Sequence, residues 1–419
     1  MTITANPTEA CCAEGTALSA TRRGVLRGAA LAGLSTVVGS TVVTMTSSPA
    51  AAATAPKVLV VVSLRGAADG LSLVVPHGDP AYYAARPRVA VPKASLLAAD
   101  GFFGLHPALA PLLPLWNDGK LAAVHATGLP VANRSHFAAM EELEDADPGS
   151  TARVGWLNRL VGTDATTGNL QALAVGNNLP TAVLGPEPVM SFRTLDAAAV
   201  AGADKWDPNG TRMKALHLNW GSVGGDLGTG MRTALDAVVD LEVAKQQPDN
   251  AASYPSSDLG KGLASVARTI KADIGVTAVT IDTQSWDMHV GMGTATSGWM
   301  VNNATELAKA IAAFFTDLGT RADDVTLVTI SEFGRRVQEN ANQGLDHGWG
   351  NVMFVAGGGV KGGYYGTWTP LQNTLDADLA VTTDYRSVLA EIVAARTTSS
   401  VAQVFPGLQR QRVGVMVGQ

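Results

Sequence analysis

Three runs of this chain leave little choice of fold. Lys57 to Leu64, KVLVVVSL, is nearly continuous in apolar, β-branched residues. Thr326 to Ile330, TLVTI, is a second such run, and a β-rich stretch from Gly275 to Ile281 is a third. Strands without polar alternation are buried on both faces, the pattern of parallel strands covered by helices. Lys120 to Thr127 and Asn351 to Ala356 read as further core strands. Apolar spacing predicts helices over Pro107–Asn117, Ala138–Leu143, Arg232–Ala244, Lys261–Asp273, Asn302–Leu318 and 384–395. The 419 residues allow one large α/β domain or two smaller ones. Residues 145–260, rich in Gly, Pro and Asn, read as an irregular inserted or capping region.

Each of the three runs delivers a carboxylate at its C-terminal end, the edge at which open α/β sheets bind ligands. Asp69 follows Leu64 in RGAADG, and Glu332 follows Ile330 in SEFGRR. The third run continues into TIDTQSWDMHVG, which holds Asp282, Asp287 and His289 within eight residues. A second His-bearing loop carries Asp346 and His347. A strand fixes the first donor and its loop folds the others back, which is one way to build a metal site. Carboxylates with two His suit Zn²⁺ or Mn²⁺, and carboxylates alone would suit Ca²⁺ or Mg²⁺. Ser135 stands as the predicted N-cap of a helix, in the positive field that stabilises an oxyanion. Arg134 and His136 beside it are candidates to hold an anionic group. His77, His106, His125 and His217 have no acidic partner at metal-like spacing and read as structural or surface residues.

Composition narrows the partners. A net charge of −6, without a dense Lys/Arg run in the body, argues against nucleic acid. Thr21-Arg22-Arg23-Gly24-Val25-Leu26-Arg27 matches a twin-arginine export pattern, followed by an apolar run to Met45 and small residues with cleavage options near Ala51 to Ala53. Residues 1–53 are therefore expected to be a signal peptide handled by the twin-arginine translocase. The mature chain, 54–419, would be periplasmic, in the cell wall or extracellular, without a stable membrane span. Both cysteines, Cys11 and Cys12, fall within that leader, so the mature protein would have no thiol chemistry.

LRGAADGLSLVVP, NRSHFAAME, DTQSWDMH, SEFGRR, LDHGWGNVMFVAGGGVKGG and TDYRSVLAEI, in that order, resemble the bacterial family known as domain of unknown function 1501. That family is grouped with the alkaline phosphatase and sulfatase superfamily. The resemblance implies an alkaline-phosphatase-like three-layer α/β sandwich, with a mostly parallel central sheet and helices on both faces. It implies divalent metal at the strand C-termini and a nucleophile between the ions. Asp69 resembles the first metal-bridging Asp, Ser135 the nucleophile, Asp287 and His289 one metal site, and His347 the late His that completes it. Two departures stand out: Glu332-Phe333 occupies the place of an Asp-His pair, and Asp287-x-His289 is shorter than the usual spacing. Asp282 precedes Asp287 by five residues, as an additional acidic ligand does in alkaline phosphatases. One ion, or an altered pair completed by Asp346, fits that pattern. The activity implied is hydrolysis of a small anionic phosphate or sulfate ester; the alternative is a non-catalytic metal- or ligand-binding protein that keeps the fold.

Overall fold

The computed structural model describes residues 34–38, 41–45, 57–163, 168–176, 178–202 and 206–419. The twin-arginine segment and both cysteines lie outside the described residues. The strands are β1 (Leu34–Val38), β2 (Thr41–Met45), β3 (Val58–Leu64), β4 (Val74–Val75), β5 (Gly104–Leu105), β6 (Leu121–Gly128), β7 (Ala172–Val175), β8 (Val189–Phe192), β9 (Ala278–Thr283), β10 (Val325–Ile330), β11 (Asn351–Gly357), β12 (Gly363–Tyr365) and β13 (Thr383–Asp384). All but β4 and β5, which pair with each other, join one sheet in the order β1-β2-β8-β7-β9-β3-β10-β11-β6-β12, with β13 beside β6. The middle of that order, β8 through β10, is parallel throughout. β11 runs against it and β6 runs with it again.

β3 shows why the sheet is buried on both faces. Val58, Val60, Val62 and Leu64 point into one core, with Leu263 and Phe314 from the helices Asp258–Lys271 and Trp299–Leu318. Leu59 and Val61 point into the other, with Leu143, Leu157 and Leu389 from His136–Asp145, Trp156–Thr163 and Tyr385–Arg396. The period-2 alternation of a strand thus feeds two apolar layers from one nearly continuous apolar run. This is the expected three-layer α/β arrangement, with a mostly parallel sheet between helices.

Three stretches depart from the sequence reading. Residues 145–260 are more than an irregular cap: besides the helix read over Arg232–Ala244, which runs from Gly225 to Lys245, they supply β7 and β8 to the main sheet. Four-residue strands such as ALAV are too short for periodicity to separate from loop. Within the expected leader, β1 and β2 pair with each other and β2 adds antiparallel to β8. Pro107–Asn117 begins as a 3₁₀ turn and becomes α-helical only from Leu113.

Register places the functional edge. Leu64 pairs with Thr283 of β9, and Ser63 with Ile330 of β10. Three neighbouring strands therefore stop level, and the loops after them emerge side by side. β6 ends and β11 begins at that same edge, with Asn351 opposite Thr127.

Two histidines belong to the fold. His125 of β6 is buried and stacks on Phe103 with ring centroids 4.5 Å apart. His106 is buried too, and its Nδ1 accepts from the Ala108 N–H at the start of a 3₁₀ turn. Burial pushes His125 down to about 3 and His106 to about 4. Unfolded imidazoles protonate near pH 6.5, so below that the unfolded chain binds the protons and the native state loses stability until the folded values are reached. Urea denaturation should show His125→Phe losing less stability than the parent between pH 7 and pH 4.5. An unchanged pH dependence would show that His125 is not a source of acid sensitivity.

Candidate metal centre

The edge described above gathers four chain segments. β3 leads into Arg65-Gly66, β9 into the loop 284–289, and β10 into Ser331-Glu332. Asp346 and His347 precede β11, and His136 opens the helix that follows β6. The approach is close enough to demand a glycine. Gly66 has φ +109°, and a Cβ there would lie 2.5 Å from the Asp287 nitrogen.

Three imidazoles meet at this edge. His347 Nε2 lies 2.9 Å from His136 Nε2 and 2.9 Å from His289 Nε2. Each ring has an oxygen partner at its other nitrogen. His136 Nδ1 is 2.8 Å from Glu332 Oε1, His289 Nδ1 is 2.8 Å from Asp346 Oδ1, and His347 Nδ1 is 2.9 Å from the Arg134 carbonyl. Carboxylates and carbonyls only accept, so each Nδ1 carries the hydrogen. Neutral rings fixed in that tautomer turn lone pairs towards one another at Nε2, which is repulsive unless a cation stands among them. An oxygen holding Nδ1–H is also the usual support of a metal-ligating His. Asp287 completes the set: Oδ1 is 3.1 Å from His289 Nε2 and 3.8 Å from His347 Nε2, and Oδ2 is 3.6 Å from His136 Nε2. His136, Asp287 and His347 each offer a donor atom within 4.8 Å of the others. Three imidazole nitrogens and one carboxylate suit Zn²⁺ or Mn²⁺ better than Ca²⁺ or Mg²⁺.

The charges agree with that use. Burial, with Arg335 and the neighbouring His residues, pushes His347 down to about 4, so its ring is neutral and free to ligate near pH 7. Burial opposes ionisation of Asp287, but the hydrogen bond and charge of Arg335 hold its carboxyl below the usual range. Glu332 and Asp346 are likewise held low against burial, chiefly by His136 and His289 respectively. Arg335 is 2% exposed and donates to the carbonyls of Ala67, Gly66, Trp286 and Leu345 as well as to Asp287 Oδ1 at 2.7 Å.

The expected site residues separate into three groups. Asp287, His289 and His347 lie together. Glu332 and Asp346, expected as metal donors, instead support His136 and His289 from behind. Asp69 and Asp282 are claimed elsewhere. Buried Arg86 forks onto both oxygens of Asp69, at 2.5 and 3.0 Å, and Arg65 Nε lies 2.8 Å from Asp282 Oδ2 while its Nη2 reaches Glu144. A carboxylate gripped by a guanidinium is already charge-matched and geometrically occupied. His136, expected to hold an anion, joins the metal-type donors. The Arg134 guanidinium pairs with Asp378, and only its carbonyl serves the centre. Ser135 is exposed at the helix start, and its hydroxyl makes no capping bond. Sequence reasoning missed Arg335; SEFGRR showed a basic residue after a strand, but nothing local says that it turns inward.

The centre opens onto a cavity of about 550 Å³ lined by His136, Asp287 and Glu332 with Arg65, Phe137 and Met140. Fold and centre together define an α/β protein with a three-histidine, one-carboxylate cluster at the C-terminal edge of a parallel sheet. The family model described as protein of unknown function (DUF1501) matches residues 116–412, and the chain belongs to that family. A comparison with curated proteins gives no match. Among solved structures, the lipoteichoic acid synthase LtaP from Listeria monocytogenes is similar at 10% identity over 76% of this chain and 67% of that one, with a TM-score of 0.28.

If the three rings hold an ion, purified protein should carry stoichiometric Zn²⁺ or Mn²⁺ by elemental analysis, and His347→Ala should lose it. Glu332→Gln should keep the fold but weaken binding by ~10–100-fold in chelator competition, the usual effect of removing a ligand's support. An affinity unchanged by both substitutions would sink the assignment.

Proposed function

We propose that this protein is an exported, metal-dependent hydrolase of phosphate or sulfate esters. The observation that carries the reading is the set of three histidines, each committed at Nδ1 to an oxygen, with their Nε2 atoms gathered beside Asp287 at the mouth of a cavity. The resemblance to the alkaline phosphatase and sulfatase superfamily supports the same class. A divalent ion bound there supplies a Lewis acid for the ester oxygen and lowers the pKa of a coordinated hydroxyl or water. The donor count favours one ion, because Arg65 fills the space between Asp282 and Glu144 with a guanidinium.

The chain's own groups then have distinct tasks. Ser135 is the nucleophile in this reading. The contacts of the Arg134 carbonyl and the His136 ring with His347 bracket it, and its hydroxyl is free at a helix N-terminus. Its Oγ bonds to phosphorus or sulfur as the bond to the leaving alcohol breaks, and water later releases the acid. Arg65, facing the cavity, is placed to balance charge on the substrate's oxygens. Among the described residues no helix is long and apolar enough to cross a membrane. Export through the twin-arginine translocase remains the reading of the leader.

A second reading rests on the donor count itself. Three imidazoles and Asp287 are enough to close a tetrahedral ion, the arrangement of a non-catalytic centre, whereas catalytic sites keep one position open. Turnover separates the two. The Zn²⁺- or Mn²⁺-loaded protein should cleave aryl phosphates or aryl sulfates, and Ser135→Ala should lower kcat by at least about 10³-fold while metal content stays unchanged. Full activity in Ser135→Ala would remove the nucleophile; inactivity of the loaded parent on both ester classes would favour the binding protein.

A further inference from the structure

Part of the lining of the cavity is apolar. Phe137, Met140, Leu179 and Pro180 line it, within about 550 Å³ that also includes His136, Asp287 and Arg65. Phe137 follows a ligand histidine directly and sits in the first turn of its helix, yet it is 87% exposed. Packing does not explain it: His136–Asp145 buries Ala139, Met140 and Leu143, and Phe137 lies off that face. Val290, next to His289, is likewise 63% exposed. Two of the exposed large apolar side chains are therefore immediate neighbours of the converging histidines. Apolar surface held at the mouth of a polar centre is the usual composition of a small-molecule site, in which a few polar groups orient a mainly apolar ligand.

The adjoining cavity differs in kind. It measures about 430 Å³, shares Asn178, Pro180, Asp282, Gln284 and Ser285 with the first, and adds Asn303, Glu306 and Arg193. Its polar character means that the cleft has one apolar side only. Ser285, between the two, holds a left-handed backbone at φ +72°, fixed by Asn303 Nδ2 donating to its carbonyl at 2.7 Å. Strain of that kind persists where the surroundings over-determine a functional loop.

We infer that the substrate is an ester bearing an aryl or comparably bulky apolar group, which lies on Phe137, Met140, Leu179 and Pro180 while the acid group faces His136, Asp287 and Arg65. This deepens the hydrolase reading and rests on it for the position of the acid group. The volume fits a group of small-molecule size. Phe137 is thus a specificity-determining residue, and its exposure is the vacant half of a binding contact.

Binding of inert ligands tests this apart from turnover. Calorimetry on the full chain loaded with Zn²⁺ would compare phenylphosphonate with methylphosphonate, in the parent and in Phe137→Ser. The phenyl compound should bind roughly tenfold more tightly to the parent, the order expected for burying one face of a ring. Phe137→Ser should erase most of that difference and leave metal content and thermal unfolding as in the parent. Equal affinities in the parent, a preference that survives Phe137→Ser, or no binding of either compound would each overturn the inference. If the preference holds but no ester is cleaved, the apolar site stands and the hydrolase reading falls. If esters are cleaved without regard to the apolar group, the reverse is true.

Discussion

The buried guanidinium of Arg335 is the interaction on which the functional edge depends. Loops after three different strands end in carbonyls that face inward, and Arg335 collects those of Gly66 and Ala67, Trp286, and Leu345 in one fork. Its remaining reach goes to Asp287, which supplies the countercharge, and to His289 Nε2 at 3.4 Å. Burying a guanidinium is expensive unless its donors are met and its charge is balanced, and here both conditions are satisfied by the very loops that carry the centre. Lysine could match the charge but not the planar fork. The same contact that pins the loops also keeps Asp287 ionised, so folding and electrostatics of the centre are one interaction.

That fork works only because the strands arrive level. β9, β3 and β10 are adjacent and parallel, and their register ends them within a residue of one another. β3 achieves this with Ser63 as its one polar side chain, since both of its faces are covered by apolar layers. Order in the sheet differs from order in the chain. His136, Asp287 and His347 come from segments more than fifty residues apart, and the sheet's crossovers bring them together. The acidic and imidazole groups are thus supplied by loops and, for His136, a helix start, while the precision comes from strands that take no part in the chemistry.

This division explains what the sequence made legible. The runs around β3, β10 and β11 are long and apolar enough to be read directly, and so were the loops after them. Asp287, His289 and His347 stood out because oxygen and nitrogen donors crowd those loops. Asp69 and Asp282 looked equivalent to Asp287, each just past a buried strand or at its end. What separates them is tertiary: Arg86 forks onto Asp69 and Arg65 Nε lies against one oxygen of Asp282, whereas Asp287 faces three rings. The role of His136 was hidden for the same reason, since a His at the start of a helix says nothing about which ring lies across from it. β7 and β8 were missed because four residues are too few for a period to show.

Arg65 also bears on how many ions the edge can hold. Burial raises the carboxyls of Glu144 and Asp282 above their usual range, so their charged forms depend on a compensating cation. Arg65 is that cation, with Nε on Asp282 and Nη2 on Glu144, and it extends into the cavity beside His136 and Asp287. A second divalent ion at those two carboxylates would have to displace a guanidinium already paired on both sides and leave it half-buried without partners. The centre is therefore best described as one metal-type position flanked by a fixed organic cation. A divalent ion exchanges with solvent and depends on supply. Arg65 is covalently part of β3's turn, so the positive charge on that side of the cleft is built in by folding.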